Sequence, residues 1–254
     1  MNILEKTYFK AYLEAVGSQI ESLILNYDFS KNKSDFEFLT KSSAVFSSNI
    51  EGNTIDLNSF MNYELNKDKF KPGKEIEEIE NLINAYSFAQ QNPLTEKNLL
   101  QSHKIFSETL LIKSKRGKYR NEPVGVFGKT GLIYLALEPE NVESEMGRLF
   151  RDIEMILKSR ITVLEAFYFA SMIHLRFAHI HPFRDGNGRA ARLLEKWFLA
   201  EKLGREYWKL ESERYYKEHL SDYYSNINLG VNFYELDYTK SIGFLKLLIE
   251  SMKD

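Results

Sequence analysis

Apolar residues recur three and four apart over most of the chain, the spacing that gathers one face of an α-helix. The pattern predicts a helix within 4–27 (Tyr8, Leu13, Val16, Ile20, Leu23, Leu25), a polar loop from Asp28 to Asp35 and a second helix from Phe36 to Ile50. Residues 54–73 read as a polar, lysine-rich region closed by the turn pair Pro72-Gly73. Helices follow from Lys74 or Glu75 to Gln91, stopped by Asn92-Pro93, and from the cap Thr95 through Leu110. His103 in the latter reads as a core-edge or surface residue. Asn141 is expected to cap a helix carrying Val142, Met146, Leu149, Phe150 and Ile153, with Pro139 stopping the segment before it. Thr162-Val163-Leu164-Glu165 is a capping-box pattern that opens a strongly apolar helix ending near His179. A helical period resumes at Arg189 and ends at Leu203-Gly204. Two more helices are expected, Glu211 to Tyr224 and about Leu236 to Met252. The last is amphipathic and either completes the core or contributes to a homo-oligomer.

The period changes once. Val124-Gly125-Val126-Phe127 and Leu132-Ile133-Tyr134-Leu135 flank Gly128-Lys129-Thr130-Gly131, which reads as a β-hairpin with a four-residue turn. The fold class is therefore mainly α with one small hairpin.

At 254 residues the chain can bury a full core, alone or with a helical extension. A net charge of -2 argues against a dominant nucleic-acid-binding surface while leaving room for a local basic pocket. The absence of cysteine excludes disulfides and thiol nucleophiles and fits a reducing, cytoplasmic setting. No apolar run is long enough to span a membrane, and an N-terminus with Glu5 and Lys6 does not read as a secretory signal.

Chemistry concentrates in His181-Pro182-Phe183-Arg184-Asp185-Gly186-Asn187-Gly188-Arg189-Ala190-Ala191-Arg192, a tight turn between two helices. Pro182 ends the first helix. Gly186 and Gly188 leave backbone N–H groups uncovered at the start of the second, where the helix dipole reinforces an anion pocket. Arg189 and Arg192, three apart, can reach further phosphoryl oxygens. Asp185 is a hard oxygen ligand of the kind that holds magnesium at polyphosphates. His181 could accept a proton from an incoming hydroxyl. Together these groups suggest transfer of a phosphorus-centred group to an alcohol. Zinc is the chemical rival, since His174, His179 and His181 are close in sequence, but their spacing is poor for one helix and no cysteine is present.

The run from His181 to Arg192 resembles the signature of the Fic family, His-x-Phe-x-Asp/Glu-Gly-Asn-Gly-Arg-x-x-Arg, and matches it at every defined position. The resemblance implies a Fic-like helical bundle with a β-hairpin flap, and a protein adenylyltransferase that moves AMP from ATP onto a hydroxyl of a target protein. It further implies His181 as base, Asp185 as the Mg²⁺ ligand, and Gly186, Asn187, Gly188, Arg189 and Arg192 as the nucleotide-binding set, with Arg192 on the γ-phosphate. Ser47-x-x-x-Glu51-Gly52 resembles the family's inhibitory motif, in which Glu51 would pair with Arg192 and misplace the phosphates. Gly117-x-Tyr119-Arg120 also resembles the family's sequence before the flap. The flap, Val124, Gly125, Val126 and Phe127, would hold the target as an added strand.

The corresponding division is an N-terminal region 1–70 with the inhibitory helix, a Fic core 71–204 and C-terminal helices 205–254, with no room for the winged DNA-binding domain of many relatives. Related death-on-curing toxins place a lysine where this chain has Gly188, which disfavours kinase-like phosphate transfer. Removal of AMP at the same site, or a silent nucleotide-binding interaction module, are the alternatives.

Overall fold

The structure is a computed structural model describing residues 3–17, 20–25, 27, 29, 35–69, 71–128 and 131–253. The helix expected within 4–27 is two shorter ones, α1 (Phe9–Val16) and α2 (Ile20–Leu25), parted at Gly17. Most of the polar loop expected at 28–35 lies outside the described residues, as do Lys129 and Thr130 of the hairpin turn. The second helix, α3 (Phe36–Ile50), has the expected bounds and starts where the Asp35 carboxylate accepts from Glu37 N–H at 3.3 Å.

Within the region expected to be merely polar, α4 (Leu57–Leu65) forms. Asp56 caps it through Ser59 N–H at 2.9 Å, and Phe60 and Tyr63, three apart, reach the core. The lysines around them dilute that apolar pair in any window average. Next come α5 (Lys74–Gln91) and α6 (Glu96–Phe106), the latter capped by Thr95 but ending a turn before Leu110.

The hairpin is β1 (Gly125–Gly128) and β2 (Gly131–Leu135), antiparallel with a bulge between Val126 and Phe127. It is followed by α7 (Pro139–Lys158). Pro139 occupies the first helical position, where no N–H is needed, so it starts this helix rather than stopping the hairpin, and Asn141 lies inside.

Then come α8 (Val163–Ile180), α9 (Asn187–Leu203), α10 (Ser212–Glu218) and α11 (Leu220–Ile227), the last pair resulting from a break at His219 in the helix expected over 211–224. In place of one helix over 236–252 there is a 3₁₀ turn at Tyr238–Lys240, then α12 (Ile242–Leu245) and α13 (Leu247–Glu250).

The centre of the fold is α8, apolar on every side and therefore buried all round. Phe167, Tyr168, Phe169, Met172, Ile173 and Phe177 have no exposed surface. Burial of each such side chain stabilises by about 1.5–3 kcal/mol, so the site built at the end of α8 rests on a rigid base. The expected capping box closes in both directions, Glu165 N–H to Thr162 Oγ1 at 3.2 Å and Thr162 N–H to Glu165 Oε2 at 2.6 Å. On this helix pack α7, through Val142, Met146, Leu149 and Ile153, and α9. In turn α3 packs on α5, α9 and α10, which puts the end of α3 beside the start of α9.

Two bonds fix the hairpin beside that junction. Tyr134 Oη donates to His179 O at 2.7 Å, and Leu135 N–H donates to Val231 O at 2.9 Å, next to a parallel bridge between Leu135 and Asn232. Phe127, 73 % exposed, projects from the hairpin into solvent.

Candidate active site

The turn between α8 and α9 is built by local bonds. Asn187 accepts from Phe183 N–H and donates to Phe183 O, both at 2.8 Å, a clasp that closes the loop on itself. Its side chain is thereby committed to the turn and only its backbone N–H remains for an anion. Gly186 precedes α9 with φ of +81°, and a Cβ there would stand 2.7 Å from the Phe106 ring, so conformation and space both require glycine. Phe183 is fully buried and stacks on the His103 ring at 3.6 Å.

His103 is not at a core edge but completely buried. Gly117 N–H donates to its Nδ1 at 2.9 Å, which leaves Nε2–H to donate to Asp185 O at 3.1 Å, so the ring joins the segment before the flap to the active-site loop. The neighbouring candidates for a metal are likewise spent: His174 bonds Glu195 and Tyr223, and His179 bonds Tyr238 Oη and Ile227 O. Among the described residues no cluster of three metal-ligating side chains occurs.

His181 caps α8 in the left-handed region, φ 53° and ψ 58°. Its Nδ1–H donates to Ala178 O at 3.3 Å, leaving Nε2 as the ring's acceptor. Burial lowers its pKa to about 4, with the Arg120 charge acting in the same direction and the Ala178 bond, Glu51 and Asp185 opposing. At neutral pH the ring is therefore neutral and able to take up a proton.

The residue that sustains this geometry is Arg120, 3 % exposed, which donates to the carbonyls of His181 at 2.7 Å, Glu122 at 3.1 Å, Ile180 at 3.3 Å and Leu137. A cation at the negative end of α8 satisfies the carbonyls that the left-handed turn strips from the helix. The sequence marked Arg120 only by resemblance. Arg120→Ala leaves those carbonyls buried and unpaired, and we expect a loss of about 3 kcal/mol or more, read as a lower urea midpoint at unchanged m-value.

Acid should also be destabilising. Burial lowers His103, His179 and His181 each to about 4. The unfolded chain, with histidines near 6.5, then binds more protons than the folded one between these values. Stability is flat above about pH 7 and falls as pH drops through 6 towards 4, by roughly 1.4 kcal/mol per pH unit for each lagging histidine. Thermal unfolding from pH 7.5 to 4.5 measures this, and a constant Tm across the range contradicts it.

Around the start of α9 the charges are paired. Arg189 donates through Nε and Nη2 to Glu78 Oε1 on α5 at 3.1 and 2.7 Å, so its side chain ties α9 to α5. Arg192 has no exposed surface and donates to Ser47 Oγ and Ser47 O, both at 2.9 Å, to Glu51 Oε1 at 2.8 Å, and to Tyr223 Oη at 3.2 Å. The expected pairing of Glu51 with Arg192 is thus present. Enclosure by protein raises the Glu51 pKa, but Arg192, then Arg189, more than offset it, holding the carboxylate below its usual range.

Glu51 is the cap residue of α3, followed by Gly52 at φ +97°. An acid is disfavoured at that end of a dipole, and cations compensate: Arg192 on the carboxylate and Lys217 Nζ on Asn49 O at 2.7 Å. A Cβ on Gly188 would lie 2.1 Å from Glu51 Oε1, so the carboxylate rests against the first turn of α9, where an anion would bind. Asp185, in the loop before Gly186, is exposed. Its Oδ1 accepts from Gly186 N–H at 2.6 Å, and among the described residues Oδ2 has no protein partner.

Fold and loop together define a Fic domain. The family model for the Fic/DOC family matches residues 93–199, and the chain carries a domain of that family over this stretch. A protein adenylyltransferase Fic from Nematostella vectensis is 29% identical over 162 residues, covering 59% of this chain and 35% of its own length. A namesake from Drosophila erecta is 30% identical over 163 residues, 59% of this chain and 30% of its own. The chain thus spans about a third of the length of these curated relatives. Among solved structures, a Fic family protein from Desulfovibrio desulfuricans G20 superposes with a TM-score of 0.79 at 23% identity, covering 95% of this chain and 73% of that one. The likeness extends beyond the matched stretch and so includes the region of α3. No helix among the described residues is long and apolar enough to cross a membrane.

Proposed function

We propose that the protein transfers AMP from ATP to a serine, threonine or tyrosine hydroxyl of a target protein, and that Glu51 restrains it. The observation that carries this reading is the placement of a neutral imidazole with an available Nε2 beside the start of α9, where the Glu51 carboxylate occupies the anion position, with Arg192 paired to it. The hydroxyl oxygen attacks the α-phosphorus, its proton passes to His181 Nε2, and the bond to the β-phosphate oxygen breaks to release pyrophosphate. The backbone of Gly186, Asn187 and Gly188 receives the phosphates, and Arg192 grips the γ-phosphate. Arg189, through Glu78, holds the helix that presents them.

Asp185 fits magnesium, since one exposed carboxylate oxygen without a protein partner matches a cation held mostly by phosphate oxygens and water. Bound there, the ion would offset phosphate charge. The target segment adds to the hairpin as a further strand along Val124 to Phe127, beside the exposed Phe127 ring.

The test is intact-mass analysis of the Glu51→Gly protein with ATP labelled at the α- or the γ-phosphate. Transfer of the α-label alone supports adenylylation; γ-label transfer replaces it with phosphorylation. Glu51 supports a second activity as well. Among the described residues its Oε2 has no hydrogen-bond partner, so it can orient a water for removal of AMP, which an AMP-modified protein incubated with the wild-type chain would reveal.

A further inference from the structure

A buried chain of polar groups stands behind Arg192, and none of it belongs to the loop motif. Arg192 Nη1 lies 3.2 Å from Tyr223 Oη, Tyr223 Oη lies 2.9 Å from His174 Nε2, and His174 Nδ1 lies 2.9 Å from Glu195 Oε2. Glu195 Oε1 in turn accepts from Tyr216 Oη at 2.9 Å. Every member is 2 % exposed or less. The direction of the chain follows from its donors. A guanidinium only donates, so the single Tyr223 proton must go to His174 Nε2; that nitrogen is then an acceptor, and Nδ1 carries the ring's proton to Glu195. Each group therefore presents its oxygen or nitrogen in one orientation, and Tyr223 turns a lone pair towards Arg192.

We propose that Tyr223, oriented by His174 and Glu195, is a positioning residue that sets the guanidinium of Arg192 for the terminal phosphate of ATP. This rests on the adenylyltransferase reading above. Ser47 holds Arg192 along one edge only, through Nε and Nη2. Nη1 bonds Tyr223 through one N–H and keeps its second; with the Glu51 bond broken Nη2 gains a free N–H as well, so each terminal nitrogen offers one, a fork suited to two phosphoryl oxygens. That fork keeps its aim only if the guanidinium is fixed at a point off the Ser47 edge, and Tyr223 supplies it. Three elements, α3, α9 and α11, thus meet at one guanidinium. Tyr223 touches no substrate atom and acts through Arg192.

The test is Tyr223→Phe in the Glu51→Gly background, with binding of ATP and of ADP measured by calorimetry in Mg²⁺ and with kcat and KM for ATP. Loss of the hydroxyl should weaken ATP about tenfold, appearing in KM and in kcat/KM, and leave ADP within about twofold, because ADP lacks the phosphate that Arg192 meets. Retained ADP affinity also certifies a folded site. If the buried His174 Nε2 left without its donor prevents folding, 3,5-difluorotyrosine at position 223 keeps the hydroxyl and weakens its oxygen as an acceptor; the same selective loss for ATP is expected. Equal losses for both nucleotides, or none, overturn the proposal. Absence of α-label transfer by Glu51→Gly itself would instead overturn the adenylyltransferase reading, whatever Tyr223 does.

Discussion

Glu51→Gly is expected to raise transfer of AMP, to the protein itself or to a target, by about 100-fold. The estimate comes from the cost of misplacing a reacting centre by about 1 Å. The substitution removes one of four bonds to Arg192 and leaves the two to Ser47 and the one to Tyr223. The arginine therefore stays in place while its terminal N–H becomes available. The carboxylate that lies against the Gly188 backbone also leaves, clearing the first turn of α9. The fold should tolerate the change, because residue 51 is a helix cap with an ordinary negative φ of -87°, and its side chain is 27% exposed. Automodification at saturating ATP, followed by intact mass, reads the effect; an unchanged rate removes the inhibitory assignment.

The second large effect concerns the base. His181→Ala in the Glu51→Gly background should lower transfer by about 10³-fold while ATP affinity stays within a few fold, since the helix start and Arg192 are untouched. One structural complication is removable. Position 181 is left-handed, at φ 53°, a conformation that is costly for any residue with a Cβ and that histidine adopts more readily than alanine, so His181→Ala adds a strain that has nothing to do with proton transfer. Asparagine tolerates that conformation and cannot act as the base, so His181→Asn is the cleaner variant. Both substitutions should give the same loss. A wild-type rate of α-label transfer in either one sinks the assigned role.

How far the sequence could be read depended on the reach of each interaction. The Thr162 capping box and the stop at Gly204 each close within four residues, so residue type and spacing expose them. The Asn187 clasp is as local but was not read, because Asn187 stood out as a phosphate-binding residue and its side chain proved to be spent on Phe183. The break at His219 and the split of the final helix were not legible, because the apolar period continues through them. The Pro139 start was misread because a proline before a helical pattern can end one element or begin another. His103 looked peripheral, as an isolated polar residue on an amphipathic helix does, until the loop 82 residues later supplied its acceptor.

The sequence by itself determined most of the helices, the hairpin and the single turn that could serve a phosphate, because hydrophobic period, caps and glycines act over one or two turns of chain. Tertiary structure alone decided which groups meet there. Glu51 reaches Arg192 across 141 residues, Arg120 reaches the end of α8 across 61, and Tyr223 completes the arginine's socket from beyond the matched domain. Such contacts follow from how α3, α9 and α11 pack. A charged side chain carries no local sign of the partner that burial will assign it, only the requirement that it have one.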